Sequence, residues 1–310
     1  MKYGFSFKGT HTKEFAGLTV KTTSRPIKSD MRDAVFTAPY MDGSISTASN
    51  NPYGREFYES RQFVVTMFLT AENLVRLNKK LAKISSWLTG SGELIFDDAP
   101  LIIWDARAAG SVDYAPERAG KKAVLTITFE VQPFGRLAWH VTDGPELGQD
   151  GIYLGDNLPL GMGTGGYTVT VESLENLIVS QGILNYGDRP VRPVITFRTL
   201  GSGSVPDMGI ITIRVNGDSG NEMTLYAGNE VKTFIADCEK HALTNIDGKN
   251  IMGRNPKLVN FSGRFIELPP GENRLIITRR AGASAADIEI TVDFMPRYMW
   301  DADFDAVDWG

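Results

Sequence analysis

The sequence predicts a mainly β protein with one α-helix, and three features of the chain indicate this fold class. Apolar and polar residues alternate in short runs, most clearly in Ala123–Val131. A helical period occurs in Ala71–Leu88 and is not found after Leu88. From Tyr167 onward, strand-like runs alternate with turn signals about every eight to twelve residues, which is typical of an antiparallel β-sandwich.

Length and composition restrict the classes of protein that fit. The 310 residues exceed the size at which one hydrophobic core usually stops growing, so we expect two domains. No apolar run reaches transmembrane length, the first residues lack a signal-peptide core, and membrane insertion is not expected. Cys238 is the only cysteine, so an intrachain disulfide is impossible and folding in a reducing cytoplasm fits best. The net charge of −5, without a long basic cluster, disfavours sequence-specific binding of nucleic acid.

The first domain is predicted to span residues 1–138 and to contain one sheet and the helix. The clearest strand before the helix is Phe63–Leu69, a dense apolar run, and Ala123–Val131 is expected to close the sheet. A hairpin is expected between them, with Asp97–Pro100 as its turn. Its strands and the other predicted strands of this domain are Gly4–Phe7, Leu18–Thr23, Ala34–Ala38, Glu93–Phe96 and Leu101–Trp104.

The predicted helix, residues 71–88, is amphipathic. Thr70 is expected to be its N-cap, and Gly90 and Gly92 are expected to end it. Four basic residues cover much of its other face, and a solvated helix face is favoured for them over a nucleic-acid surface. They are Arg76, Lys79, Lys80 and Lys83, whereas the expected buried face carries Leu74, Leu77, Leu81, Ile84 and Leu88.

A long segment at about residues 37–60 is rich in turn-forming residues but also carries many large apolar side chains. A loop of this length in a compact domain is uncommon unless it is functional or disordered, and its aromatic content argues against disorder. Two interpretations are open: a long hairpin that covers its own sheet edge, or an arm that packs on a neighbouring subunit. The candidate interface residues of this arm are Phe36, Tyr40, Met41, Ile45, Tyr53, Phe57 and Tyr58.

The sequence loosens into a glycine-rich stretch at residues 139–166, which we predict to be a linker. Residues 167–300 are predicted to form the sandwich, and residues 301–310 an acidic, aromatic tail. The predicted strands are Tyr167–Val171, Val194–Leu200, Gly209–Val215, Met223–Tyr226, Val231–Ala236, Arg264–Leu268, Arg274–Thr278 and Ile288–Phe294.

Motifs for catalysis, metals and cofactors are not convincing. The glycines of Gly161–Gly166 match a dinucleotide-binding pattern, but a strand rather than a helix follows them, so a linker is favoured. Asp301, Asp303 and Asp305 imitate the start of a calcium loop, but Ala306 stands where that loop needs glycine. Turn chemistry is expected to account for the adjacent Asp97 and Asp98. We therefore expect no catalytic residue, no metal site and no cofactor, and we do not expect the protein to be an enzyme.

The order of parts resembles the distal tail protein family (Dit) of long-tailed phages with non-contractile tails. In the first half the resemblance lies in the residue 39–43 arm, Tyr53–Arg55, the strong strand, the helix and the hairpin that ends at Trp104. In the second half the matching pieces are Asn185–Pro190, Pro193–Phe197, Phe261–Leu268, Pro270–Ile277, Ile288–Phe294 and Pro296–Tyr298. Together they cover nearly the whole chain.

The resemblance implies a structural virion protein at the tail tip, assembled in the host cytoplasm. It implies a ring of six copies, built by the N-terminal domains, between the tail-tube protein and the tail-associated hub protein. It implies a galectin-like C-terminal sandwich that projects outward and that, in several relatives, anchors a receptor-binding protein. The residues themselves support a ring only in part, because a head-to-tail ring needs unlike subunit faces and the arm would provide one.

The alternative is a carbohydrate-binding β-sandwich protein that acts in attachment to the host surface. Tyr186 and Tyr226 are its candidate platforms, because tryptophan is absent between Trp139 and Trp300. An enzyme acting on cell-wall polymers comes last, since no acid/base pair can be assigned.

Overall fold

A computed structural model describes residues 4–32, 57–117, 121–138, 167–171, 177–200, 208–227, 231–253, 257–280 and 286–300, together with the backbone of Val35–Phe36 and Ile45–Ser46. Of residues 110–113, 116, 117 and 177 it likewise describes the backbone alone. The chain divides into two compact units. The first unit contains Met1–Arg136 and Tyr298–Ala302, and the second contains Leu137–Arg297 and Asp303–Gly310.

The first unit is built on an antiparallel sheet. The strands in this part of the chain are β1 (Phe5–Phe7), β2 (Thr10–His11), β3 (Leu18–Ser24), β4 (Val35–Phe36), β5 (Ile45–Ser46), β6 (Arg61–Thr70), β7 (Ser91–Phe96), β8 (Ala99–Glu117), β9 (Lys122–Val131) and β10 (Gly135–Leu137). Seven of them follow the order β2-β1-β7-β8-β9-β6-β3, whereas β4 and β5 pair only with each other among the described strands.

The strongest predicted strands form the centre of this sheet. In β6 and β9 every second side chain is buried, so one face of each strand supplies the core. The expectation that Ala123–Val131 closes the sheet is wrong, because β9 lies between β8 and β6 and pairs with both. Alternation indicates which face of a strand is buried, but it does not indicate how many neighbours the strand has.

The predicted helix is present as α1 (Leu74–Trp87), and its start differs from the prediction. Asn73 is the N-cap, with its side-chain oxygen accepting the Arg76 amide at 2.9 Å. Thr70 is instead the last residue of β6. Leu77 is fully buried, whereas Leu74 is 52% exposed, so the expected burial of Leu74 is wrong. At 100° per residue Leu74 lies about 60° from Leu77 around the helix, at its very first position.

The predicted hairpin is confirmed as β7 and β8, but β8 runs to Glu117, well beyond the expected Trp104. Its register against β9 shifts between Ala109 and Asp113. The turn carboxylates do more than form the turn. Asp97 pairs with His11 Nε2 at 2.7 Å, and Asp98 pairs with Arg25.

A short segment after the sandwich, Tyr298–Trp300, belongs to the first unit. The buried Arg61 donates a hydrogen bond to the Met299 carbonyl at 2.7 Å, and its guanidinium lies 4.4 Å from the Trp104 ring centroid. The Trp300 ring lies 5.0 Å from the Arg25 guanidinium. The first unit is therefore completed by residues that follow the second one in sequence.

The second unit contains two five-stranded antiparallel sheets, in the orders β11-β20-β13-β16-β17 and β12-β19-β14-β15-β18. The predicted fold class is confirmed. The strands are β11 (Tyr167–Val171), β12 (Leu177–Asn185), β13 (Val194–Leu200), β14 (Ile210–Val215), β15 (Glu222–Ala227), β16 (Thr233–Asp237), β17 (Ala242–Thr244), β18 (Val259–Gly263), β19 (Gly271–Arg280) and β20 (Asp287–Asp293), and β21 (Arg297–Tyr298) follows them.

Two differences from the predicted strands stand out. Arg264–Leu268 is not a strand, and only Leu268 makes an isolated bridge, with Val191. The strand of this region, β18, precedes it, and Ile266 and Leu268 are buried from an extended loop. The strand β12 was not predicted, because Ser180, Gln181 and Gly182 interrupt its apolar pattern.

One buried arginine joins several segments at one end of the second unit. Arg279 of β19 is fully buried and donates hydrogen bonds to the carbonyl oxygens of Met208 (3.1 Å), Val171 (3.2 Å) and Ala286. Val171 and Ala286 border strands of the sheet opposite β19. The guanidinium therefore connects both sheets.

Candidate assembly interface

The described residues on either side of the predicted arm form a hydrogen-bonded base. Met31 and Tyr58 form an antiparallel bridge. The Arg32 amide donates to the Phe57 carbonyl at 2.6 Å, and the Glu59 amide donates to the Asp30 carbonyl at 2.8 Å. Arg32 and Phe57, the described residues that flank residues 33–56 in sequence, therefore lie side by side.

Side chains hold this base to the rest of the first unit. Arg32 Nε donates to Glu59 Oε1 at 2.8 Å, and this hydrogen bond together with the Glu59 charge raises the pKa of Arg32. Ser29 Oγ donates to the Pro133 carbonyl at 3.0 Å. The Tyr58 ring meets the Phe134 ring edge-on at a centroid distance of 5.3 Å. The base is thus packed on the turn that follows β9.

Within the arm, β4 and β5 form a two-stranded ladder that is separate from the main sheet. Phe36 pairs with Ile45, and Val35 pairs with Ser46. Of the other candidate interface residues, Phe57 is exposed and Tyr58 is half-buried at the base. Tyr40, Met41 and Tyr53 lie outside the described residues, as do the side chains of Phe36 and Ile45.

A charged cleft of about 490 Å³ lies beside the base and includes Ser60 in its lining. Arg107 donates to Glu130 at 2.6 Å, and Ser60 Oγ donates to the same carboxylate at 3.0 Å, which lowers the pKa of Glu130. Arg136 donates to Glu93 at 2.5 Å and to Asp105 at 3.3 Å. Burial alone would lower the pKa of Arg136, but these two carboxylates raise it.

The carboxylates of this cleft are held in ion pairs with arginines. Each carboxylate of the cleft accepts from a guanidinium, so none has the character of a general base held in a water-poor pocket. Sequence reasoning missed this cluster, because its members come from strands that meet only in the folded sheet.

The two tyrosines predicted as outer-domain platforms have different positions. Tyr186 is only 6% exposed, so its assignment to an open surface is wrong, since its ring belongs to the core of the second unit. Tyr226 is 50% exposed on β15 and lies opposite Ile210 and Asn260 in the ladder.

A separate cleft of about 600 Å³ is lined by Tyr167, Ser180, Leu184, Glu272 and Arg274, among others.

Sequence reasoning also missed an aromatic stack in the second unit. The Phe261 and Phe265 rings lie parallel at 4.4 Å, and the His241 ring stacks on Phe265 at 5.4 Å. The four-residue spacing of the two phenylalanines is the available signal, but the sequence pattern places Phe261 in a loop and Phe265 in a strand.

Among the described residues, no group of three or more His, Cys, Asp or Glu side chains is arranged to hold a metal ion. The calcium-loop imitation at Asp301, Asp303 and Asp305 and the glycines of 161–166 lie outside the described part. None of the helices in the described ranges has the length and apolar character needed to cross a membrane.

Comparison with known proteins places these features in a known fold. Residues 14–131 match the family model described as the phage tail protein RIFT-related domain. No curated protein matches the chain in sequence. The crystal structure of the SPP1 Dit (gp 19.1) protein, described as a paradigm of the hub adsorption apparatus in phages that infect Gram-positive bacteria, is similar over 94% of this chain and 99% of its own, with 12% identity and a TM-score of 0.60.

Two phage baseplate structures are also similar. The phage P2 baseplate in its activated conformation with calcium covers 94% of this chain and 98% of its own, with 10% identity and a TM-score of 0.37. Its strontium counterpart covers 94% and 97%, with 11% identity and a TM-score of 0.35. The predicted resemblance to distal tail proteins is confirmed at the level of the fold.

Proposed function

We propose that this chain is a structural, non-enzymatic subunit of a phage tail tip. The observation that carries the proposal is the match of residues 14–131 to a phage tail domain, within a fold that follows SPP1 Dit along nearly the whole chain. In this role the protein assembles in the host cytoplasm and becomes part of the virion. Its partners are further copies of itself, the tail-tube protein and the tail-associated hub protein, and the second unit is the candidate site for a receptor-binding protein.

The proposed assembly is a closed ring, with six copies as the resemblance to distal tail proteins implies. A ring needs two unlike faces on each subunit, so that one face of each copy meets the other face of the next. The arm supports this arrangement, because its base is fixed by two backbone hydrogen bonds and an ion pair. A fixed base limits the conformational entropy that the arm loses when it packs on a neighbouring copy.

We also propose the domain limits that the sequence predicts. In that division residues 1–138 build the ring and residues 139–166 link the domains. The sequence predicts the outer sandwich over residues 167–300, but Tyr298–Trp300 belongs to the first unit, so we end the proposed sandwich at Arg297. Residues 301–310 are the proposed tail. Limited proteolysis with mass spectrometry tests them, because cleavage should concentrate in residues 139–166.

Deletion of residues 40–56 tests the ring and the arm together. The deletion keeps the hydrogen-bonded base, and a short glycine-serine connection replaces the arm. We expect a folded monomer by circular dichroism and no rings by light scattering or negative-stain microscopy. A Tyr226→Ser variant serves as the control and should still form rings, because Tyr226 lies in the second unit. Rings that persist without residues 40–56 would show that the arm does not join the subunits.

The second candidate function is carbohydrate binding by the second unit. It is supported by Tyr226, whose exposed ring shares a sheet face with the exposed Ile210 on one side and with polar residues on the other. Thr224 lies two residues before it on β15, and Asn260 and Ser262 lie on the adjacent β18. An exposed ring beside hydroxyl and amide groups suits the apolar face and the hydroxyls of a sugar. A glycan array with the full chain and the Tyr226→Ser variant tests it, and binding that is equal for both proteins would exclude this platform.

A further inference from the structure

Strand β12 forms an open edge of its sheet. Among the described strands it pairs only with β19. The Leu184 amide donates to the Tyr167 hydroxyl at 3.0 Å, and the Leu184 carbonyl accepts from the same hydroxyl, so the backbone groups of Leu184 point away from β19. Because these directions alternate along an antiparallel strand, the backbone groups of Ile178, Ser180 and Gly182 point to the same open side. No backbone group within the described ranges pairs with them there.

This edge lacks the usual protection against pairing. Proteins blunt exposed edges with short strands, charged side chains or proline, whereas β12 is nine residues long and contains neither a charged residue nor proline. Side chains cover only part of it, since Tyr167 closes the Leu184 end and Gln181 Nε2 donates to the Gly182 carbonyl at 2.9 Å. Ile178–Gly182 can therefore accept an added strand through its backbone groups.

A cleft and a cation lie at the same edge. The cleft of about 600 Å³ includes Ser180, Gly182 and Arg274 in its lining. Arg274 Nε donates to Ser180 Oγ, which brings the guanidinium to β12, and Arg274 has no ion pair within the described residues. Glu272 also lines the cleft, but it pairs in register with Leu184, at the closed end of the edge. A strand added beside Ile178–Gly182 would therefore meet a cation.

The chain itself contains a segment that suits this edge. Residues 301–310 contain four aspartates and no lysine or arginine, and residues 301–306 have the sequence DADFDA. This strict alternation of acidic and apolar residues is typical of a strand with one acidic and one apolar face. Asp303–Gly310 also belongs to the second unit, as β12 does.

The two faces of such a strand match the two sides of the β12 edge. Alternate side chains of a strand point to opposite faces of a sheet. With Asp303 and Asp305 on the face of Arg274, opposite charges meet. Phe304 then lies on the other face, which Val179 shares, and Val179 is only half-buried because no described strand covers it.

We propose that residues 303–307 pair with Ile178–Gly182 of the same chain, as an extra strand at the open edge of β12. Backbone hydrogen bonds supply the pairing, and the Asp303 and Asp305 carboxylates bind the Arg274 guanidinium. The added strand covers an edge that would otherwise be available to other chains. The inference does not depend on the proposed ring.

Hydrogen exchange on the full chain tests the pairing. The amides of Ile178, Ser180 and Gly182 should exchange at least about tenfold more slowly in the wild type than in a variant that lacks residues 301–310, because paired amides are protected. Asp303→Lys/Asp305→Lys keeps the full length and should have the same effect. Circular dichroism should show both variants folded. Equal exchange of these amides in the wild type and in both variants would overturn the proposal.

A labelled peptide with the sequence of residues 301–310 tests the charge contact, with the variant that lacks this segment as its receptor. Fluorescence anisotropy should show binding that Arg274→Glu weakens at least about fivefold, since carboxylates then face a carboxylate. Arg280→Glu is the matched control, because Arg280 is an exposed arginine of the same strand, and it should weaken binding less than about twofold.

Two results would contradict particular parts of the assignment. Equal binding of the peptide to the Arg274→Glu and Arg280→Glu variants would overturn the contact with Arg274. Protection of β12 in the wild type that increases with protein concentration would assign the added strand to a second copy and overturn the pairing within one chain.

Discussion

Individual buried polar residues decide much of the stability of this molecule. Arg279 and Arg61 are both buried, and both use their guanidinium groups to bind backbone carbonyls of distant segments. A buried carbonyl that loses its donor costs about 1–3 kcal/mol. These positions are therefore more sensitive to substitution than the many arginines in exposed ion pairs, which contribute about 0–1 kcal/mol each.

Arg279→Met should lower the free energy of unfolding of the second unit by about 3 kcal/mol or more, because the carbonyls of Met208, Val171 and Ala286 lose their donor. Chemical denaturation measures the change. Arg280→Met is the matched control, since the neighbouring arginine is exposed and its loss should cost less than about 0.5 kcal/mol. Equal effects at the two positions would contradict the role given to Arg279.

Cys238 should be unreactive in the folded protein. Burial raises the pKa of its thiol to about 12, so the thiolate that reacts with disulfide reagents is scarce at neutral pH. We expect labelling by Ellman's reagent to be at least about a hundredfold slower in buffer than in denaturant. Rapid labelling of the folded chain would show that the core around Cys238 opens.

Asp97 should make stability depend on pH in the acid range. Burial would raise its pKa, but hydrogen bonds from His11 and Lys13 outweigh burial and lower the pKa below its ordinary value of 3.8. A carboxyl whose pKa is lowered by folding stabilises the folded state above its unfolded pKa, and this contribution is lost as the pH falls through the folded pKa. The urea concentration at which half of the protein is unfolded should therefore decrease as the pH is lowered below about 4. It should decrease less steeply for Asp97→Asn than for the control Asp30→Asn, because Asp30 is exposed.

At the scale of elements, α1 shows how a sequence pattern can be right about a helix and wrong about one residue. The period predicted the helix and the burial of Leu77, Leu81, Ile84 and Leu88. Leu81 is half-buried, and the other three are buried. It also included Leu74, because a spacing of three fits a broad stripe as well as a narrow one. The structure distinguishes the broad stripe from the narrow one by where the helix begins: Asn73 is the N-cap and Leu74 is the first helical residue.

A matched pair of leucine truncations tests this helix face. Leu77→Ala should lower the free energy of unfolding by about 2–5 kcal/mol, because a fully buried side chain leaves a cavity. Leu74→Ala should change it by less than about 0.5 kcal/mol, because half of that side chain already faces solvent. Thermal or urea unfolding measures both, and similar losses would place Leu74 in the core.

The candidate site was predictable in composition but not in geometry. The aromatic residues of 37–60 predict either a hairpin that covers its own sheet edge or an arm, yet the base of this segment depends on hydrogen bonds between Asp30–Arg32 and Phe57–Glu59, which no local pattern reveals. The length of β8 is underestimated from the sequence for a similar reason, since Ala106–Ala109 has little strand character and is held by its register with β9. Tertiary pairing overrides weak local preference in both cases.

At the scale of the whole molecule, the sequence predicted one helix in a β-rich first half and a sandwich in the second, and the fold agrees. It did not predict that the first unit includes residues from beyond the sandwich. Tyr298–Trp300 carries no repeat, motif or periodicity, and its place depends on Arg61 and Arg25, which are more than 230 residues earlier in the chain.

Trp300→Ala should loosen the first unit and leave the second unchanged. The substitution removes the ring that packs on Arg25, a contact of about 0.5–2 kcal/mol. Hydrogen exchange by mass spectrometry should show faster exchange in β3 and β7, which border Arg25 and its neighbour Phe96. Faster exchange confined to the sandwich strands would contradict the assignment of Trp300 to the first unit.

The late position of Tyr298–Trp300 also bears on the timing of biogenesis. A ribosome releases Arg61 and Arg25 early, but their partners Met299 and Trp300 emerge only after the whole sandwich has been translated. Chains truncated by stalling or premature termination therefore cannot complete the first unit. Incomplete products would therefore lack a finished first unit.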